Sequence, residues 1–99
     1  MFLEHRTVSR KTPADGRLEI TAVTAAPLLA TGAPLGVLVG AARGRARVTT
    51  MSCSCGNADR QHLHYFLESE LLKALTPEHE VALSVDDDGL VQVEASPGR

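Results

Sequence analysis

NADRQHLHYFLESELLKAL, residues 57–75, lies in the longest stretch of the chain without glycine or proline, and it decides the predicted fold. Asn57 and Asp59 are both acceptable helix N-caps, and the residues that follow are rich in Leu, Glu and Ala, which favour helix. Pro77 ends the stretch, because proline cannot continue a helix. The sequence therefore predicts one long α-helix here.

The predicted helix is apolar on two sides. At about 100° per residue, Tyr65 and Leu72 lie opposite the main apolar side. A helix with two apolar sides packs between two layers, so we expect it to be covered by the chain's own loops or by a second copy of the protein. Self-association through the face with Tyr65 and Leu72 is therefore one predicted interaction. The main side is formed by Leu63, Phe66, Leu67, Glu70, Leu71 and Ala74.

Strands are predicted on both sides of this helix. Residues 2–9 and 17–24 have extended character and are separated by turn residues ending in Asp15-Gly16, which predicts a hairpin. Residues 25–34, with two prolines and a glycine, are interpreted as a loop or one short turn.

Two further hairpins are predicted from β-branched and alternating residues. The first joins residues 35–39 to residues 45–52. The second joins residues 80–86 to residues 90–95, where apolar and polar residues alternate around an Asp-Gly turn.

The order of elements is therefore four strands in two hairpins, one amphipathic helix and a C-terminal β-hairpin. This order predicts an α+β fold in which the helix packs on a mainly antiparallel sheet or open barrel. A chain of 99 residues has the length of one domain, so we expect a single α+β domain over residues 1–95. Residues 96–99 (SPGR) are predicted to be a frayed C-terminal tail.

Composition and charge exclude some functions. The chain has one Tyr, two Phe and no Trp, which argues against proteins that bind single strands by aromatic stacking. The net charge is −2, so neither nucleic acid nor an anionic membrane is favoured as a partner. Residues 1–60 hold eight basic and four acidic side chains (+4), and residues 61–99 hold two and eight (−6). The halves neutralise each other within the fold or recognise two different partners.

The chain start and an uncharged stretch bear on localisation. The first residues, MFLEHR, contain no apolar run of the signal-peptide type, so we expect a cytoplasmic protein. Residues 20–42 carry no charge and have the length of a membrane span. Pro27 and Pro34, together with several glycines, break this stretch into short pieces, so a span is not favoured.

Cysteine and histidine cluster in one short region. Cys53, Cys55, His62 and His64 are thiol and imidazole side chains, the ligand types that bind zinc and other thiophilic metal ions. On the predicted helix, residues two apart point about 200° from each other, so only one of the two histidines would reach the ion. His5, His79 and Glu70 are possible further ligands, as is an ion shared between two subunits.

Three hypotheses follow for function. The first is a small non-catalytic module in which Cys53, Cys55 and His62 or His64 bind zinc or another thiophilic metal ion. The second is a metal-free homo-oligomeric assembly or protein-interaction domain. The third is a dithiol redox carrier or sensor, because a strand continuing to Cys55 places its cysteines on the same face as several cationic side chains. The chain has no nucleophile and base at a recognised spacing and no phosphate-binding loop, so an enzyme is not favoured. The residues on that face are Arg43, Arg45, Arg47, Met51, Cys53 and Cys55.

Overall fold

The computed structural model describes residues 1–32, 34–53 and 62–95, with Cys53 and His62 defined by their backbone alone. This part of the protein forms seven strands and three short helices. The elements in chain order are β1 (Phe2–Thr7), α1 (Lys11–Asp15), β2 (Arg17–Ile20), α2 (Ala22–Thr31), β3 (Leu35–Val39), β4 (Ala42–Cys53), β5 (His62–Glu68), a 3-10 helix (Glu70–Ala74), β6 (Glu80–Val85) and β7 (Val91–Ala95).

All the strands belong to one sheet in the order β1-β6-β7-β3-β4-β5-β2. Neighbouring strands are antiparallel except β3 and β7, which run parallel. The sheet curls into a nearly closed barrel. One face of the central strands is hidden by this curling, as in β6, where Val81 and Leu83 are fully buried at alternate positions.

One carboxylate links the two edge strands at the seam of the barrel. Oε1 of Glu4, in β1, accepts a hydrogen bond of 2.6 Å from the Thr21 hydroxyl and one of 3.2 Å from the Thr21 backbone N–H. The hydroxyl of Thr24 donates to the same oxygen. Thr21 directly follows β2, so these bonds connect the two edge strands, which are not paired with each other.

Helix α2 packs against β4 and β5. Thr21 is its N-cap, since the side-chain oxygen accepts a 3.3 Å hydrogen bond from the Thr24 backbone N–H. Thr24, Ala25 and Leu28 are buried and form one stripe at helical spacing. The helix therefore contributes to the same core as the strands.

The core is almost entirely aliphatic. The buried hydrophobic residues come from the strands, α2, the 3-10 helix and the connecting segments, and Tyr65 is the one aromatic residue packed against them. The buried set is Val8, Leu18, Ile20, Ala25, Leu28, Leu35, Val37, Val39, Ala46, Leu67, Leu72, Leu75, Val81, Leu83, Val91 and Val93.

The long α-helix predicted over residues 57–75 is wrong. Residues 62–68 form β5, which pairs with both β4 and β2, and residues 70–74 form the 3-10 helix. The reason is a period of two: Tyr65 and Leu67 lie on the inner side of the barrel, whereas His64 and Glu68 lie on the outer side. Pairing with two neighbouring strands outweighs the intrinsic helix propensity of the segment.

The first predicted hairpin is also wrong. The segment between β1 and β2 contains α1, which ends at Gly16 in the left-handed conformation (φ 70°). β1 then pairs with β6, and β2 pairs with β5. The predicted loop over residues 25–34 is largely the second half of α2, which accommodates Pro27 in its interior.

Two hairpins are present where alternation predicts them. β3 pairs with β4 around the turn at Gly40, and β6 pairs with β7. The predicted fold class as a whole is wrong, because the chain forms a seven-stranded, barrel-like sheet and not four strands followed by a long covering helix. The single-domain boundary over residues 1–95 stays a prediction, and the tail at residues 96–99 lies outside the described residues.

The uncharged stretch over residues 20–42 contributes α2 and β3. Within the part of the chain that the structure describes, no helix is both long and apolar enough to cross a membrane.

Candidate functional site

The far end of β4 and the start of β5 form a two-stranded ribbon that extends beyond the rest of the sheet. β3 pairs with β4 only as far as Ala46, and β2 pairs with β5 only as far as Tyr65. Residues 51–53 and 62–64 therefore have no other strand beside them among the described residues. We call these six residues the ribbon. Two of its side chains are well exposed, Met51 at 49% and Leu63 at 54%, and His64 is partly exposed.

The register of the ribbon brings the predicted ligand positions together. Cys53 is the cross-strand partner of His62, and Met51 is the partner of His64. Cross-strand partners lie on the same face of a sheet, and so do residues two apart along a strand. Positions 51, 53, 62 and 64 therefore form one patch on the outer face, separated by about 5 Å across the strands and about 7 Å along them.

The strand geometry of β5 differs from the predicted helix in where it directs His62 and His64. The predicted helix would direct His62 and His64 to different sides, so that only one could reach an ion. On β5 the two positions fall on one face, because the side-chain period of a strand is two. The correction of the secondary structure therefore makes the histidine pair more suitable for binding one ion.

His64 is oriented by a carboxylate from the neighbouring strand. Its Nδ1 lies 2.9 Å from Oε2 of Glu19, in β2, and both side chains are partly exposed. An ionised carboxylate accepts hydrogen bonds, so the imidazole donates from Nδ1–H. The neutral ring then carries its lone pair on Nε2, which is the tautomer that a carboxylate-oriented, metal-binding histidine adopts.

The fourth predicted ligand, Cys55, lies outside the described residues, two positions beyond Cys53. Among the residues whose side chains the structure describes, which do not include Cys53, Cys55 and His62, no three Cys, His, Asp or Glu side chains form a group that could hold a metal ion.

The additional ligands considered from sequence are not in the ribbon. His5 lies in β1 with its ring centroid 4.8 Å from that of Phe2. His79 precedes β6, and its carbonyl accepts from the Val8 backbone N–H. Glu70 is exposed at the start of the 3-10 helix and forms a 3.1 Å ion pair with Lys73.

Arginines continue the outer face of β4 toward its other end. Arg43, Arg45 and Arg47 occupy alternate positions on the face that includes position 51, as the strand interpretation predicts. Arg47 lies 2.6 Å from Glu68, whose other oxygen is 3.1 Å from Arg17. These two ion pairs join the basic and acidic halves of the chain and partly neutralise the stripe.

The arginines give little electrostatic support for an activated thiol. Cys53 lies six positions after Arg47, which corresponds to about 20 Å along a strand. This distance is more than twice the Debye length of about 8 Å at physiological ionic strength. The dithiol hypothesis stays a prediction.

The helical face expected to drive self-association does not exist. Tyr65 lies in β5 and packs against the core, and Leu72 is fully buried in the 3-10 helix. The two residues therefore form no common exposed surface. Self-association itself stays a prediction.

Sequence reasoning missed Glu19 as a partner of His64. The signal was present in the alternation of β2, which places Glu19 on the outer face, but the pairing of β2 with β5 was not expected.

Comparison with protein-family models, curated proteins and solved structures gave no match to this chain.

Proposed function

We propose that this protein is a small non-catalytic metal-binding module, with the ion bound at the ribbon by Cys53, Cys55, His62 and His64. The observation that carries the proposal is the register of β4 and β5, in which Cys53 is opposite His62 and His64 is two residues away on the same face. Zinc or another thiophilic ion suits a set of thiolates and imidazoles.

The contact between His64 and Glu19 supports the same site. Metal-binding histidines commonly donate their second ring N–H to a carboxylate, which fixes the ring and makes the metal-binding nitrogen more basic. The 2.9 Å separation between Nδ1 of His64 and Oε2 of Glu19 has this form. Glu19 is therefore assigned as a positioning residue and not as a ligand.

An ion at the ribbon also has a physical role. An isolated two-stranded hairpin is only marginally stable in water, and the ribbon has no third strand beside it among the described residues. Ligands from both strands would connect the two strands at the point where sheet pairing is weakest. The proposed ion therefore stabilises the end of β4 and β5.

The experiment is a cobalt(II) titration of the reduced, tag-free protein. A thiolate bound to Co²⁺ gives a charge-transfer absorption, and the visible d–d bands are strong when coordination is tetrahedral. We expect both signals to saturate at one ion per chain. The charge-transfer signal should fall in Cys53→Ser and Cys55→Ser, and the d–d bands should change in His62→Ala and His64→Ala.

Two matched controls accompany these variants. Ser52→Ala changes the neighbour of Cys53 on the opposite face of β4, and His79→Ala removes a histidine outside the ribbon; both should titrate like the wild type. A wild-type protein without a charge-transfer band would overturn the proposal. So would a band that persists when both ribbon histidines are replaced without any change in the d–d region.

A further inference from the structure

Helix α2 is apolar on the side that faces solvent as well as on the side that faces the core. Val23 is 84% exposed and Leu29 is 47% exposed, whereas Thr24, Ala25 and Leu28 are buried. At about 100° per residue, the exposed side covers roughly 200° of the helix surface. None of its residues is charged. The exposed residues of the helix are Ala22, Val23, Ala26, Pro27, Leu29, Ala30 and Thr31.

The one polar side chain on this exposed side is engaged within the helix. The Thr31 hydroxyl donates a 3.0 Å hydrogen bond to the Pro27 carbonyl oxygen. A surface helix of a soluble protein normally carries charged or polar residues on its outer side, and a helix that is apolar all round is normally buried. The exposed side of α2 therefore has the composition of a surface that is covered.

We propose that the exposed side of α2 is the surface through which two copies of this protein associate. In a twofold interface the same patch meets itself, and homodimer interfaces are more apolar than other protein interfaces. A patch without charge meets no like-charge repulsion from its own copy, whereas recognition of a different protein generally uses complementary charges. This surface is separate from the outer-face patch of the ribbon, so the inference does not depend on the proposed function.

Other coverings fit this side less well. The two segments outside the described residues, 54–61 (SCGNADRQ) and 96–99 (SPGR), contain no large apolar side chain that could pack on it. A helix that lies in a membrane surface is rich in Lys and Arg on its polar face and carries Trp, Phe or Leu on the other. Residues 20–42 carry no charge and no aromatic side chain, so α2 lacks the basic face that such binding uses.

The size of the surface predicts a weak dimer. A helix of ten residues is about 15 Å long, which is short for an interface of the standard size of roughly 1,200–2,000 Å². Leu63, 54% exposed, extends the apolar surface at one end: β2 ends with Ile20 opposite Tyr65, so α2 begins beside the part of β5 that contains Leu63. We therefore expect association that depends on protein concentration.

Ala26 is the residue at which this contact is tested most directly. It lies at the middle of the helix and of its exposed side, so in a twofold helix pair it meets its own copy near the axis. Its small side chain also allows the two helices to approach closely. A charge at this position meets the same charge on the other copy.

The test is analytical ultracentrifugation of the full chain over a wide range of concentration. Reducing agent and a chelator are present, so that neither a disulfide nor a shared ion contributes to the mass. The wild type should show a monomer–dimer equilibrium. Ala26→Glu should raise the dissociation constant by at least about 100-fold, because it buries like charges against each other. Ala14→Glu, the same substitution at an exposed alanine of α1, should associate like the wild type.

Mixing two variants tests the twofold contact itself. Ala26→Glu and Ala26→Lys should each be monomeric alone and should associate more tightly when mixed, because opposite charges then meet at the axis. Both variants should keep the circular dichroism spectrum of the wild type, since the position is exposed and Glu and Lys are good helix formers. Val23→Glu, which places an acidic residue in the first turn where the helix dipole favours it, should also lose the dimer while remaining folded.

The remaining outcomes would overturn the proposal. A wild type that stays monomeric at every concentration contradicts it, and binding of that monomer to phosphatidylcholine vesicles, lost in Ala26→Glu, would assign the exposed side to a membrane instead. A dimer that persists unchanged in folded Ala26→Glu and Val23→Glu would show that association uses another surface. Metal binding at the ribbon is measured separately, so either result leaves the proposed function standing or falling on its own titration.

Discussion

Removing the carboxylate of Glu4 should open the barrel at its seam. The Glu4 side chain is only 12% exposed, and a single oxygen, Oε1, accepts from the Thr21 hydroxyl, the Thr21 backbone N–H and the Thr24 hydroxyl. Glu4→Ala removes the acceptor from all three donors at once. Since Thr24 is only 2% exposed, its hydroxyl would be left without this partner in a place that water reaches poorly.

The magnitude follows from the number and type of these bonds. A hydrogen bond to a charged group contributes roughly 1.5–3 kcal/mol, but three donors sharing one oxygen are not additive. We therefore expect Glu4→Ala to lower the free energy of unfolding by about 3 kcal/mol at pH 7. Glu4→Gln keeps a neutral acceptor and should cost about 1–2 kcal/mol. As a control, Glu94→Gln, at an exposed position in β7, should change stability by less than about 0.5 kcal/mol.

Acid should remove the same contribution. Burial alone would raise the pKa of Glu4, but the hydrogen bonds from Thr21 and Thr24, with the nearby Arg6 charge, lower it below its ordinary value of 4.5. The folded protein therefore holds this proton less tightly than the unfolded chain does. The stabilisation is complete above the unfolded pKa and is lost as pH falls through the folded pKa.

Urea denaturation followed by far-ultraviolet circular dichroism, at pH 7 and at successively lower pH, measures both effects. The difference between the wild type and Glu4→Gln should be largest at pH 7 and shrink below about pH 4.5, the ordinary pKa of Glu4. A difference that stays constant on acidification would refute the role given to the charged carboxylate. Equal stability of Glu4→Ala and Glu94→Gln would refute the seam itself.

Three further predictions concern the corrected elements and the site. Gly16→Ala should lower the free energy of unfolding in urea by roughly 1–3 kcal/mol more than Gly40→Ala does. Both glycines have positive φ, but only a Cβ at Gly16 would lie 2.7 Å from the Ser69 carbonyl oxygen, and equal losses of stability would contradict this packing. Leu72→Ala should cost about 2–5 kcal/mol in the same assay because the side chain is fully buried, and a loss below 1 kcal/mol would show that the 3-10 helix is not part of the core. Glu19→Gln should weaken metal binding by about 10–100-fold in chelator competition while leaving the unfolding midpoint of the metal-free protein nearly unchanged, and unchanged metal affinity would contradict its positioning role.

The sequence predicts the parts of the fold whose pairing is local. β3 with β4 and β6 with β7 are hairpins with short connections, so alternation and turn residues suffice to identify them. The parallel pairing of β3 with β7 and the pairing of β2 with β5 join segments far apart in the chain. No local pattern encodes such partners.

Residues 57–75 show how one segment supports two interpretations. Good helix formers and the absence of glycine and proline favour a helix, while Tyr65 and Leu67 alternating with His64 and Glu68 favour a strand. Phe66, an aromatic residue on the outer face, obscures the alternation. Burial on one side and pairing on two edges decide for the strand.

The site was predictable in residue type but not in arrangement. Cysteine and histidine were identified by their chemistry, whereas their common face depends on the register of β4 against β5. The role of Glu19 depends on the pairing of β2 with β5. Helix α2 was not predicted because proline, here Pro27, usually ends a helix. The sequence did contain signals for this helix: Thr21 as a possible N-cap, and Thr24, Ala25 and Leu28 at helical spacing.

The most direct test of the central claim is elemental analysis of protein purified without an affinity tag or chelator. The ribbon, with Cys53 opposite His62, predicts close to one thiophilic metal ion per chain in the wild type and a ratio near zero in Cys53→Ser. Ser52→Ala, purified in parallel, should retain the ion. A ratio near zero in the wild type, with the protein folded by circular dichroism, would contradict the metal-binding account.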